Sequence, residues 1–168
     1  ETTLTVMLPY LKGTHRMAEV ARYWVIVFAA NIVATLLFAA AVSIPHLFPP
    51  DVIDAFTKLG AKTVEPGFLG VFVKGIFAGW LIALMVWLMP AASSAKFFVI
   101  VAVTWLIAVA QFSHVIAGSV EGSFAAMHGA IAWGDYLVRF LIPAVIGNSI
   151  GGVVLVALLN HAQVKEEI

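Results

Sequence analysis

The chain has 168 residues, 62% hydrophobic and 11% charged, with nine Lys and Arg balanced by nine Asp and Glu, and a mean hydropathy of +1.05. One core of this length cannot hide so much apolar surface, so a soluble domain is excluded and lipid must take the rest. Zero net charge without a basic run excludes nucleic acid as a partner, and the absence of cysteine excludes a disulfide framework and a thiolate metal site.

The chain opens at Glu1 partway through an apolar pattern, without a basic stretch and cleavage site, and reads as a piece of a longer membrane protein. Crossing the hydrocarbon takes about 20 apolar residues in a helix, so residues 1–11 predict a half-helix. Residues 23–42 predict a full span, interrupted only by Asn31 and Thr35. A loop with Pro45, Pro49 and Pro50 leads to "DVIDAFTKLG", where Val52, Phe56 and Leu59 share a helical face. Residues 51–60 therefore predict an amphipathic interfacial helix, with Asp51 placed to cap it and Gly60 to end it. Residues 68–89 predict a second span with Lys74 as its one charge, and "MPAASSAK" a tight turn. Residues 97–120 are long enough for a third, but its last third, "FSHVIAGSVEG", holds His114, Glu121 and the small Ala117, Gly118 and Ser119. That composition predicts a break near 112–120, followed by a half-helix over 122–133. Residues 140–159 predict the last span, preceded by an exposed Asp135–Arg139 pair at helical spacing. The whole is an all-α polytopic membrane protein, one transmembrane domain over 1–168.

Lys12, Arg16 and Arg22 precede the first full span, Lys96 precedes the third, and Lys165 follows the last. The positive-inside rule then predicts that residues 12–22 and the C-terminus are cytoplasmic, with the mixed-sign loop carrying Asp51, Asp54, Lys58, Lys62 and Glu65 on the other side. "ANIVATLL" (30–37) and "GNSIGGVV" (147–154) share one pattern. Small residues that let helices pack closely, with a buried Asn bonding across the interface, account for both; paired motifs separated by an odd number of crossings also suggest repeated halves of opposite membrane orientation. In the second plan the broken helix around His114 has a counterpart in residues 1–11. A break at membrane depth exposes N–H and C=O groups, which only protein or a water-lined path can satisfy. The half-helix end presents partial charge, positive at an N-terminus. A histidine there can attract a small anion and offer it a proton, and an ionisable group inside the bilayer is a functional candidate by default.

"KFFVIVAVTWLIAVAQFSHVIAGS", "VKGIFAGWLIALMVWL", "WVIVFAANIVATLLFA" and above all "IPAVIGNSIGGVVLVALL" resemble the formate/nitrite transporter family over nearly the whole chain. The resemblance implies an aquaporin-like fold with inverted repeats and broken helices, in a homopentamer whose protomers each carry a pore through the inner (plasma) membrane. Small monovalent anions such as formate, nitrite, hydrosulfide or lactate pass, in several members with a proton, and no cofactor is involved. The family's first span, the first half of its second and its gating loop would precede Glu1. His114 aligns with the family's central histidine. Ser113 stands where many members have a glutamate, Gly79 where an asparagine is common, and Ile107 where the family has an aromatic constriction. Lys62 is one residue off the lysine that draws anions to the outer vestibule, and Glu121 falls where the family is apolar. Asn31 and Asn148, from the two repeated motifs, complete the candidate pore residues.

Each candidate has a plainer role open to it. His114 can be helix glue; as a pore group, its imidazole titrates near physiological pH and can lend a proton to a weak-acid anion, which then crosses without the full cost of a buried charge. Glu121 can mark the interface and Lys74 can snorkel to headgroups, or the two can pair, each being expensive alone in hydrocarbon. A Glu121 lining the path would repel anions and argue for a cation or a neutral solute. Ser149 lies in a glycine-rich helix without a nucleophile elbow, so no enzyme is expected. His15, His46, His114, His128 and His161 lack the spacing of a ligand pair, so no metal is expected. The expected partners are a small monovalent anion, protons and the lipid bilayer; the alternative is an aquaporin-like channel for a small neutral solute.

Overall fold

The computed structural model describes residue 10 and residues 16–153, all of whose regular structure is helical. Of the half-helix expected over 1–11 only residue 10 is described, and Lys12, Lys165 and the end of the last expected span lie outside the described residues. Helix α1 spans Met17–Val42, starting before the expected residue 23 because the Glu19 carboxylate accepts the Arg16 backbone N–H at 2.9 Å. The satisfied first turn extends the helix through its charged end. Helix α2 spans Pro50–Ala61, a 3-10 turn Lys62–Val64 follows, and α3 spans Gly67–Leu88. Helices α1 and α3 are each long and apolar enough to cross a membrane.

Two expectations for α2 are corrected. Pro49 is the N-cap and Pro50 the first helical residue, leaving Asp51 inside the first turn, where its charge suits the positive helix end without capping it. Gly60 does not end the helix. It is buried against α5, where an added Cβ would strike the Glu121 carbonyl and approach the Ala125 Cβ to 2.7 Å. Leu59 points outward, 53% exposed, and the packed face carries Phe56, whose ring meets Phe124 edge-on at 5.9 Å.

The segment expected as the third span is interrupted. Helix α4 spans Lys96–Val109 and α5 spans Val115–Met127. The break thus covers residues 110–114, ahead of the expected 112–120, and the second half begins at Val115 instead of residue 122. The small residues placed the expectation too late because they serve packing. Gly118, Ser119, Gly122 and Ser123 are buried, and a Cβ on Gly118 would lie 2.8 Å from Phe140 Cε2.

The last helix starts with one turn, α6 (Trp133–Asp135), widens into a π-helical segment, Tyr136–Leu141, and continues as α7 (Ile142–Gly152). Pro143 explains the widening: it has no N–H, and its ring would meet the carbonyl four residues back, so the preceding turn loosens. Tyr136 and Phe140 of this segment, both 2% exposed, form the core with Val64, Val71 and Ala144. Asp135 and Arg139 pair at 3.6 Å on the surface, as expected.

The most extensive packing is α3 on α7, followed equally by α1 on α5 and α2 on α5. The first depends on close approach of small residues: a Cβ on Gly79 would lie 2.6 Å from Asn148 Cα, and one on Gly151 2.8 Å from the Trp80 nitrogen. At the far end, His128 closes α5 against α1. Ser43 spends its hydroxyl hydrogen on the Ala39 carbonyl at 2.8 Å, so the His128 Nε2–H donates to Ser43 Oγ at 3.2 Å. Helix α5 therefore ends beside the end of α1.

Candidate functional site

The geometry of the break follows from how its backbone groups are satisfied. Helix α4 closes with two bonds, Gln111 N–H to the Ala108 carbonyl at 3.1 Å and Phe112 N–H to the Ile107 carbonyl at 3.0 Å. Gln111 takes the left-handed conformation this closure needs, at φ 51°, a position glycine usually fills. The chain then runs extended into His114, the N-cap of α5, whose Nδ1 accepts the Ala117 N–H at 3.3 Å. An amide only donates, so Nδ1 is the lone-pair nitrogen and Nε2 carries the ring hydrogen.

Asn148, reaching across from α7, holds the interruption open. Its Oδ1 accepts the Val115 N–H at 2.9 Å, and its Nδ2 donates to the Ser113 carbonyl at 2.8 Å and the Gly75 carbonyl of α3 at 2.9 Å. Both amide hydrogens are therefore used, one on a carbonyl that the break would otherwise leave unpaired and one on a carbonyl inside α3, while Oδ1 takes an orphaned donor of the new helix. Asn31, its counterpart in the repeated motif, is bound differently: its Nδ2 donates to Val27, four residues back in its own helix, at 2.8 Å.

Beside the break lies a cavity of about 300 Å³, walled by Trp24, Phe28 and Asn31 of α1, Gly79 and Ile82 of α3, His114 and Ile116 at the start of α5, and Asn148 and Ser149 of α7. The walls are mostly apolar, with Asn31, His114, Asn148 and Ser149 as the polar side chains among them, the usual composition of a small-solute site. The first donors of α5 are nearly all engaged: Val115 by Asn148, Ala117 by the His114 ring, Gly118 by the His114 carbonyl. The Ile116 N–H has no partner among the described residues. With the positive end of the α5 dipole behind them, this N–H and the His114 Nε2–H are donors suited to an anion.

Of the expected pore residues, His114, Asn31, Asn148 and Gly79 meet at this cavity; Ser113, Ile107, Lys62 and Glu121 lie off its walls. Ser113 contributes its carbonyl to the Asn148 clamp, and Ile107 its carbonyl to the closure of α4. Lys62 is exposed in the turn after α2, and Glu121 is exposed on α5. Lys74 is half-buried in α3, and Arg139–Asp135 is the sole ion pair among the described residues, so Lys74 and Glu121 do not pair. Sequence reasoning missed Ile116, whose backbone N–H is left without a partner among the described residues, and Gln111, whose residue type gives no sign of a left-handed turn. It also missed the aromatic wall of Trp24 and Phe28, which a run of apolar residues does not single out.

Over residues 1–162 the chain matches the family model described as formate/nitrite transporter. It is 35% identical over 170 residues to the inner membrane protein YfdC of Escherichia coli (strain K12), covering 100% of this chain and 55% of that protein. It is 30% identical over 151 residues to the uncharacterized transporter YrhG of Bacillus subtilis (strain 168), covering 84% and 54%. With the uncharacterized transporter YwcJ of the same organism it shares 26% over 143 residues, covering 82% and 56%. The chain thus spans about half the length of these curated relatives. No solved structure matches it.

Proposed function

The chain belongs to the formate/nitrite transporter family, a family of membrane transporters, and from that premise we propose that it forms part of an inner-membrane pathway for small monovalent anions, with His114 at its narrow centre. The observation that carries this reading is the pair of donors at the head of α5, the His114 Nε2–H and the Ile116 N–H, beside an apolar cavity. An anion shedding water there exchanges hydration for two N–H groups and a helix dipole, which offsets part of its desolvation cost. The cavity suits a solute the size of formate or nitrite. Where a proton accompanies the anion, His114 exchanges it. A second ring proton on Nδ1 displaces the Ala117 N–H and adds charge at the positive end of α5, so the doubly protonated ring is a transient state.

The same reading places the Asn31 and Asn148 motifs in inverted repeats of an aquaporin-like fold, assembled as a homopentamer, with residues 12–22 and the C-terminus in the cytoplasm. Repeated motifs on two different long helices and the family match support that plan. The test uses the full-length protein in proteoliposomes, supplied with formate, nitrite, hydrosulfide and acetate at pH 5.5 and 7.5. His114→Asn keeps a side chain able to cap α5 but removes the imidazole. Uptake should fall at least tenfold and lose its pH dependence. Wild-type rates at both pH values in the variant refute the role of His114, and uptake of urea or glycerol with none of the anions favours the neutral-solute channel.

A further inference from the structure

Phe112, Ser113 and His114 carry the chain from the closed end of α4 to the first turn of α5, and their bonds determine where the His114 ring points. The peptide joining Ser113 to His114 is held on both sides: its carbonyl accepts from Asn148 at 2.8 Å, and its N–H donates to the Phe112 carbonyl at 3.0 Å. That second bond closes a turn of only three residues, a γ-turn, which is bent and weak unless its ends are fixed from outside. One end, His114, is fixed by capping α5. The other, Phe112, has its N–H on the Ile107 carbonyl and its ring stacked on Phe77 of α3, with centroids 5.4 Å apart and planes 19° from parallel. Gly75 of the same helix accepts from the Asn148 side chain at 2.9 Å. Helix α3 therefore fastens the break twice, once through an amide and once through a ring.

Neither ring is among the cavity walls, although Gly79, two residues on from Phe77, is. Phe77 can therefore act on a solute there only through where it sets His114. We propose that Phe77 is a positioning residue for the anion pathway: stacked on Phe112, it fixes the carbonyl that holds the His114 backbone and so aims the Nε2–H at the cavity. The inference rests on the anion reading above. A leucine at this place is apolar but offers no ring face for Phe112 to stack on. The γ-turn then loses its outside support, and the imidazole swings with the peptide that directs its Cα–Cβ bond. Hydrogen bonds weaken steeply as they bend, so an anion at the head of α5 keeps the Ile116 N–H and loses much of the His114 Nε2–H. A stacked aromatic pair shifts an equilibrium by about two- to tenfold beyond its buried area, which sets the loss of anion affinity to expect.

The experiment measures uptake of formate and of nitrite against their concentration, using the full-length protein in proteoliposomes at one pH. Phe77→Leu, Phe77→Tyr, Phe112→Leu, the Phe77→Leu/Phe112→Leu double variant and His114→Asn are compared with wild type. Phe77→Leu should raise the half-saturating anion concentration about two- to tenfold, whereas Phe77→Tyr, which keeps the ring face, should hold the wild-type value. The double variant should be no worse than the poorer single one, because either substitution alone already ends the stacking. A ring that merely packs would leave fewer working transporters at an unchanged half-saturating concentration. That result overturns the role of Phe77, as does a double variant whose two losses multiply; with His114→Asn still impaired, either leaves the anion reading standing. Neither anion moving through wild type, or His114→Asn working at wild-type rates, overturns both.

Discussion

Asn31 and Asn148 occupy the same place in the same motif, yet the structure predicts unequal consequences for replacing them by leucine. Asn148 satisfies three backbone groups at once, Val115 N–H and the Ser113 and Gly75 carbonyls. Asn31 makes one bond to a carbonyl of its own helix. Interhelical hydrogen bonds in membrane proteins average about 0.6 kcal/mol, which sets a floor of roughly 2 kcal/mol for the Asn148 clamp. Without the clamp the Val115 N–H and the Ser113 carbonyl are orphaned, while the Gly75 carbonyl keeps its place inside α3; orphaned buried groups cost about 1–3 kcal/mol each, a ceiling of roughly 6. Asn148 borders a cavity that water can enter, so the expected loss is about 2–4 kcal/mol. Asn31→Leu should cost under about 1 kcal/mol, because the Val27 carbonyl keeps its helical partner. Asn148→Asp probes the donors alone, since it keeps an acceptor for Val115 but turns an oxygen toward two carbonyls. It should be at least as damaging as the leucine. Thermal unfolding of the full-length protein in detergent, followed by tryptophan fluorescence, reads all three. Equal midpoint shifts for Asn31→Leu and Asn148→Leu, or an Asn148→Leu protein as stable as wild type, would refute the clamp.

Three further outcomes follow from the packing. Gly79→Leu forces α3 off α7 at the Asn148 backbone and should cost at least about 1–3 kcal/mol, measured by the same unfolding assay. Gln111→Gly relieves a left-handed residue at the end of α4 and should stabilise by up to about 1 kcal/mol, whereas Gln111→Val should destabilise by about 1–2; an unfolding midpoint moving the other way for either denies the strain. Gly118→Val sets branched carbons into the Phe140 ring and should shift the midpoint by about 1–3 kcal/mol, while Ala117→Val, on the open side of the same helix, should cost under about 0.5.

Composition alone determined that this chain lives in lipid, because no core of 168 residues could absorb so much apolar surface. Run lengths located the long helices, since the thickness of hydrocarbon sets a helical residue count that a sequence displays directly. The family was legible too, in motifs such as "IPAVIGNSIGG" and "FSHVIAGS". The position of the break was not. Small residues after His114 looked like a place for a helix to stop, but glycine and serine serve equally to bring a helix against its neighbour, and local sequence does not distinguish the two uses. Only the tertiary structure decided it, by setting Tyr136 and Phe140 against that face and reaching Asn148 across from a helix 33 residues downstream to satisfy Val115. For the same reason the two asparagines, alike in motif, take different roles. What a buried amide does depends on which backbone groups lie within about 3 Å of it, and chain order does not specify those neighbours.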